Sequence, residues 1–165
     1  MEKTTDVIIP TYRPGKEFGR LIERLQKQSC PIHRIIIMNT EDKFWNKEWD
    51  EKYPFLEVHH IPKAEFDHGG TRKKAAALSE ADIMVFMTQD AVPADEYVIG
   101  NLVKVLDFAA NTYGQMTDGF IREDLKSLRK AVSSTNDEKD ILKKIRRKET
   151  LGMRRIDRNV AIEKN

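Results

Sequence analysis

Three short apolar runs punctuate the chain: DVIIPTY (6–12), RIIIMNT (34–40) and DIMVFMT (82–88). Each is nearly continuous rather than alternating, as strands covered on both faces are. LEVHHIP (56–62) alternates more and suits a position nearer an edge. Between these runs the period becomes helical. Residues 16–28 place Phe18, Leu21, Ile22 and Leu25 on one face, after the breaker Pro14-Gly15. TRKKAAALSE (71–80) is rich in helix formers, with Thr71 as its expected cap. Residues 95–107 form a further amphipathic pattern. The order β-α-β-β-α-β-α predicts an α/β fold, a mostly parallel sheet with helices on both faces.

The pattern changes after residue 107. DFAANTYGQMTDGF reads as a connector. Ile121, Leu125, Leu128 and Val132 then follow helical spacing, SSTND (133–137) reads as a break, and Ile141, Leu142 and Ile145 open a second helix ending in KKIRRKE. The expected organisation is an α/β domain over 1–107 and a basic helical extension over 108–165. EDKFWNKEWDEKYPF (41–55) carries Trp45 and Trp49 four residues apart. A short helix packed over the sheet edge explains them, and ligand stacking is the alternative.

Composition narrows the function classes. The chain has 165 residues, 39% of them hydrophobic, which suits one domain with a sizeable core. Lys+Arg (29) nearly cancel Asp+Glu (27), but residues 1–119 are net −4 and residues 120–165 net +6. The basic segment lacks interleaved aromatics and the body is acidic, so nucleic acid is not an expected partner. Lys143, Lys144, Arg146, Arg147 and Lys148 suit a solvated helix face or an anionic membrane surface. A lone cysteine, Cys30, forms no internal disulfide and fits a reducing compartment. With no leader pattern and no spanning apolar run, the expected location is cytoplasmic, with peripheral contact at the inner face of the membrane through the basic helix.

The candidate chemistry sits at the strand ends. In open α/β sheets ligands bind beyond the carboxyl ends of the strands. Here those ends read Thr11-Tyr12-Arg13, Asn39-Thr40-Glu41 and Gln89-Asp90. No GxGxxG follows the first strand and no GxxxxGK[ST] occurs, which argues against a dinucleotide site and a P-loop. Asp90 is either a turn cap or a ligand for a divalent cation that bridges a diphosphate. In EFDHGGTRKKAA (65–76), Gly69 and Gly70 let backbone approach a ligand, just before a helix start that favours anions. Arg72 lies in the first helical turn, at the unfavourable end of the helix dipole, and calls for a partner: Asp67, Asp90 or a phosphate. His68 is read as a loop hydrogen-bonder.

VIIPTYRPG, IIIMNTEDKFW, EFDHGGTRKKAA and VFMTQDAVP, in this order, resemble the family 2 glycosyltransferases, and more narrowly their rhamnosyltransferase-like branch. The resemblance covers roughly residues 5–106. It implies a GT-A fold for 1–107, a nucleotide-sugar donor (dTDP- or UDP-linked, such as rhamnose) and Mg2+ or Mn2+ near the donor diphosphate. It also implies inverting transfer to a hydroxyl of a saccharide or lipid-linked saccharide acceptor, in cell-surface polysaccharide synthesis. Carried over by position, Pro10, Thr11, Tyr12 and Arg13 match the loop around the nucleobase. Asn39 falls where many members have an Asp that reads base and ribose. Asp67, Gly69, Gly70 and Arg72 match the segment facing base and diphosphate. Thr88-Gln89-Asp90 matches the DxD motif, with Asp90 as the metal carboxylate and Gln89 as a neutral contact at most. Members continue into an acceptor half whose acidic motif supplies the general base. Residues 107–165 match no such motif, and the nearby acids Asp118, Glu123 and Asp124 take no assigned role. The alternative is a catalytically incomplete remnant that binds nucleotide or docks on a protein or membrane.

Overall fold

The computed structural model describes residues 3–122, 124–137, 139–140 and 143. Four parallel strands form one sheet in the order β3-β2-β1-β4: β1 (Thr5–Tyr12), β2 (Arg34–Thr40), β3 (Leu56–Ile61) and β4 (Ile83–Phe86). The helices are α1 (Lys16–Gln26), α2 (Glu48–Lys52), α3 (His68–Ala76) and α4 (Val98–Ile121). The chain divides into two units, Met1–Ile99 and Gly100–Asn165, and the sheet belongs to the first.

The connection order decides which face each helix covers. β1 to β2 to β3 steps along the sheet in one direction, and β3 to β4 steps back past both. Parallel crossovers are right-handed almost without exception, so α1 and α3 fall on opposite faces. On the α3 face, Ile8, Ile36, Met38 and Ile61 form a buried cluster with Ala75, and Phe66 packs against it. Alternate strand residues point the other way, and there Val7, Ile9 and Ile37 are fully buried, as are Leu21 and Ile22 of α1. Burial on both faces is why these runs are continuous in the sequence. Each such side chain contributes about 2 kcal/mol on leaving water.

Trp45 takes the structural role. Trp45 is buried, donates its indole N–H to Asp50 Oδ1 (2.8 Å), and meets Trp49 and Phe18 edge-on at centroid distances of 5.1 and 5.5 Å. Trp49 lies 4.7 Å from Phe18. The short α2 is held by aromatic packing on α1.

The second unit departs from the expected pattern. The segment read as a connector is helical, because α4 runs unbroken from Val98 to Ile121. Gly114 and Gly119 lower its propensity by about 1 kcal/mol each. Gly119 also has a packing reason: a Cβ there would come within 2.9 Å of Leu128 Cγ. SSTND is no break either, since residues 125–137 are helical and the Thr135 hydroxyl bonds back to the Ala131 carbonyl (3.0 Å). Ile141, Leu142, Ile145, Lys144, Arg146, Arg147 and Lys148 lie outside the described residues; Lys143 is 3.5 Å from Asp140. No helix among the described residues is long and apolar enough to cross a membrane.

At the amino end of β1, Asp6 is fully buried. It accepts hydrogen bonds from Ser79 Oγ (2.7 Å) and Arg34 Nε (3.4 Å) and lies 3.0 Å from His33 Nδ1. Burial pushes its carboxyl up, but these bonds and the Arg34 charge outweigh burial and hold it below its ordinary value of 3.8. Folding therefore favours the charged form. The stabilisation is present above the ordinary value and is lost as pH falls through the depressed one. We expect Asp6→Asn to cost about 2 kcal/mol at pH 7, with the gap to the parent narrowing below about pH 4. Denaturant melts across that range check this, and a gap independent of pH would refute it.

Candidate functional site

The strand order reverses between β1 and β4, which makes their carboxyl ends the crevice where ligands bind in open α/β sheets. β1 and β2 end in register, Thr11 opposite Asn39 and Tyr12 opposite Thr40. The next residue on each strand, Arg13 (φ 48°) and Glu41 (φ 65°), is left-handed, and no other non-glycine among the described residues is. A non-glycine in this region costs about 1 kcal/mol or more, and such strain concentrates at binding sites.

A polar network crosses three strands at these turns, buried at Thr11 and Asn39 and exposed at His60. The Thr11 hydroxyl donates to Asn39 Oδ1 (3.0 Å). Asn39 Nδ2 donates to the Glu41 carbonyl (3.2 Å) and lies 3.0 Å from His60 Nδ1, and His60 Nε2 is 3.5 Å from Asp42. Asn39 is fully buried with both ends of its amide engaged, so it shapes the loops rather than facing outward. An Asn rather than an Asp here needs no counter-charge in a buried position.

Above it lies a cluster of rings and cations. Tyr12 and Phe44 meet edge-on (centroids 5.6 Å). The Arg13 guanidinium sits 4.3 Å from the Phe44 ring centre and 5.2 Å from that of Tyr12. Lys43 Nζ is 4.9 Å from the Phe44 centre, Lys63 Nζ is 5.9 Å from the Tyr12 centre, and Lys43 pairs with Glu41 (2.9 Å). Phe44, Lys43, Lys63 and His60 escaped the sequence reading. Their signal was only position, each lying within a few residues of the carboxyl end of β2 or β3.

On the other side of β1 the chain turns through Thr88-Gln89-Asp90. The Gln89 side chain makes two hydrogen bonds to the Tyr12 peptide: Tyr12 N–H donates to Oε1 (2.8 Å) and Nε2 donates to the Tyr12 carbonyl (3.1 Å). Thr88 and Asp90 are exposed, and no hydrogen bond or ion pair joins the Asp90 carboxylate to another described residue. Among the described residues no three His, Cys, Asp or Glu side chains converge on one point. One free carboxylate does not make an all-protein metal cage. It does fit a hard cation that takes its remaining ligands from water and a diphosphate.

The family model for "Glycosyl transferase family 2" matches residues 6–163. The chain belongs to this family. It is rhamnosyltransferase-like: it is 33% identical over 104 residues to the O-antigen chain rhamnosyltransferase RfbN of Salmonella typhimurium, covering 59% of this chain and 31% of that protein. It is 34% identical over 88 residues to the O-antigen chain rhamnosyltransferase WbaN of Salmonella anatum, covering 52% and 28%. The chain thus spans about a third of the length of these relatives. The fold is of the GT-A type. It superposes on a mannosyltransferase of Pyrobaculum calidifontis solved with GDP-Man and Mn2+ (TM-score 0.54, 19% identity, 63% of this chain and 32% of that one). It also superposes on S. aureus TarS 1-349 (TM-score 0.52, 21% identity, 63% and 32%).

In this family 2 chain the HGG segment is built differently from the expectation. Asp67, not Thr71, caps α3: its carboxylate accepts from the Gly69 N–H (3.4 Å) and from the Gly70 N–H. The buried Thr71 hydroxyl accepts in return from the Asp67 N–H (3.4 Å). Asp wins the cap because it stands one residue outside the helix with extended backbone, where its short side chain reaches back to the first free amides. Gly70 makes room for it, since a Cβ there would meet Asp67 Oδ2 at 2.5 Å. Arg72 turns to the His68 carbonyl (3.0 Å), not to Asp67 or Asp90. Among the acids of the second unit, Asp124 caps residues 125–137. Hydrogen bonds from the Ser127 hydroxyl (2.6 Å) and the Lys126 amide (2.9 Å) hold its carboxyl below the usual range. Asp118 is exposed, and Glu123 lies outside the described residues.

These magnitudes set a testable balance. Asp67→Ala loses the cap and costs about 1 kcal/mol. Gly70→Ala also displaces the carboxylate but gains about as much helix propensity, so its stability stays near the parent's. In the Gly70→Ala background, Asp67→Ala then costs almost nothing. Thermal melts of the four proteins complete the cycle, and additive losses would contradict the assigned contact.

Proposed function

We propose that this chain supplies the donor-binding half of a glycosyltransferase. Its ligand is a nucleoside diphosphate sugar, dTDP- or UDP-linked, and rhamnose is the sugar that its curated relatives suggest. The acceptor is a hydroxyl of a saccharide or lipid-linked saccharide, reached by inverting transfer in surface-polysaccharide synthesis, from the cytoplasmic side. The observation that carries this reading is the crevice at the β1/β4 switch. It sets a free carboxylate, Asp90, on one side of Tyr12 and an aromatic and cationic cluster on the other.

Each residue then has a part. Pro10 and Thr11 bring β1 to the crevice, and Tyr12, with Phe44 at its edge, presents rings to the nucleobase. Asn39 acts through Thr11 and His60, holding the strand ends in place. Arg13, Lys43 and Lys63 offer positive charge for the diphosphate, where Arg13 gives a planar fork that suits phosphate oxygens. Gly69, Gly70 and the free N–H groups of Arg72 flank the same end of the sheet. Asp90 would hold Mg2+ or Mn2+, and Thr88 and Gln89 shape the turn that carries it. When bound, the cation supplies charge stabilisation at the leaving diphosphate.

Calorimetry tests this. UDP or dTDP should bind about tenfold or more tightly with Mn2+ than without, a differential of at least ~1.4 kcal/mol. Asp90→Ala should remove that difference, and Arg13→Ala should weaken binding with or without Mn2+. Nucleotide affinity indifferent to the cation in the parent protein would sink the metal assignment. No nucleotide binding at all would sink the donor reading.

A further inference from the structure

β4 leaves β1 before β1 ends. Their ladder runs from Thr5–Ile83 to Ile8–Phe86, and a final bond joins the Met87 N–H to the Ile8 carbonyl (2.9 Å). Every second residue of a strand turns its N–H and C=O to the same side. Ile8, Pro10 and Tyr12 therefore present their backbone toward β4. Pro10 has no N–H to leave unpaired where β4 departs. Tyr12 has both groups, and both are taken by one side chain, that of Gln89. A carboxamide carries a donor and an acceptor in the same plane, as a peptide does. The side chain thus stands in for the next residue of β4, which the backbone no longer provides.

We infer that Gln89 is a positioning residue: it clamps the turn bearing Asp90 to the peptide of Tyr12, so that the carboxylate and the nucleobase loop are fixed to one another. This deepens the proposed function and rests on Asp90 as the cation's ligand. The central position of the TQD triplet is then reserved for an amide that spends its polar groups on the protein. Chemistry makes the residue type specific. Ala offers neither bond, and Asn falls one methylene short. Glu keeps the acceptor but sets its other oxygen against the Tyr12 carbonyl unless that oxygen is protonated.

Two readouts on the full chain separate the clamp from its purpose. Hydrogen exchange followed by NMR should show the Tyr12 amide about tenfold less protected in Gln89→Ala, while Ile36 and Ile37 in β2 keep their protection and certify the fold. Gln89→Glu should lose protection, relative to intrinsic exchange, at pH 7 and regain it as pH falls toward about 4, where Glu protonates. That rescue would tie the protection to the two hydrogen bonds, and the Mn2+ readout separates a positioning residue from a merely structural one. Calorimetry with dTDP and MnCl2 should show the Mn2+-dependent gain in affinity reduced about tenfold in Gln89→Ala. Unchanged Tyr12 protection in Gln89→Ala overturns the clamp. Lost protection with an unchanged Mn2+ gain overturns its service to Asp90. No Mn2+ gain in the parent protein refutes the cation reading itself, while the exchange result still decides the clamp.

Discussion

Everything at the crevice depends on β1 bonding along two edges of unequal length. On the β2 side it is paired from Asp6 to Tyr12, and on the β4 side only from Thr5 to Ile8. A buried strand must satisfy its backbone groups on both edges. The unequal pairing leaves a gap at the carboxyl end that side chains have to close. Pro10 removes one donor from the problem, and Gln89 answers both groups of the Tyr12 peptide.

The two ends of the sheet use different polar chemistry. At the amino end, a buried carboxylate accepts hydrogen bonds from a serine and an arginine, and a histidine ring nitrogen lies 3.0 Å away. At the carboxyl end, the buried polar side chains are two threonines, Thr11 and Thr40, and an asparagine, and charge is kept to exposed or half-exposed side chains around them. The strain at Arg13 and Glu41 sits directly over this neutral floor. Two residues held left-handed side by side need a rigid base, and the Thr11–Asn39–His60 chain provides it.

Much of the first unit was legible because burial on both faces leaves a strong mark. RIIIMNT was read with the bounds that β2 has, and the other three strands were read within two residues at either end. The carboxyl-end location of polar residues also followed from strand direction alone. What escaped depends on side-chain reach. The cap of α3 went to Asp67 because of backbone geometry outside the helix, which composition does not show. Lys43, Lys63 and His60 look like ordinary surface residues until the sheet brings three loops together. In the second unit, DFAANTYGQMTDGF reads as a connector because Asn, Thr, Asp and Gly are weak helix formers, yet α4 passes through it.

The clamp between Tyr12 and Gln89 joins residues 77 positions apart. The β1–β2 and β2–β3 pairs close much shorter loops, and short loops close with less entropic cost and sooner. In folding order, then, the central strand acquires its β2 partner early, while the turn bearing Asp90 can dock only after the chain through residue 89 has formed and returned. On loop length alone the crevice is expected to be among the last features of this unit to be assembled.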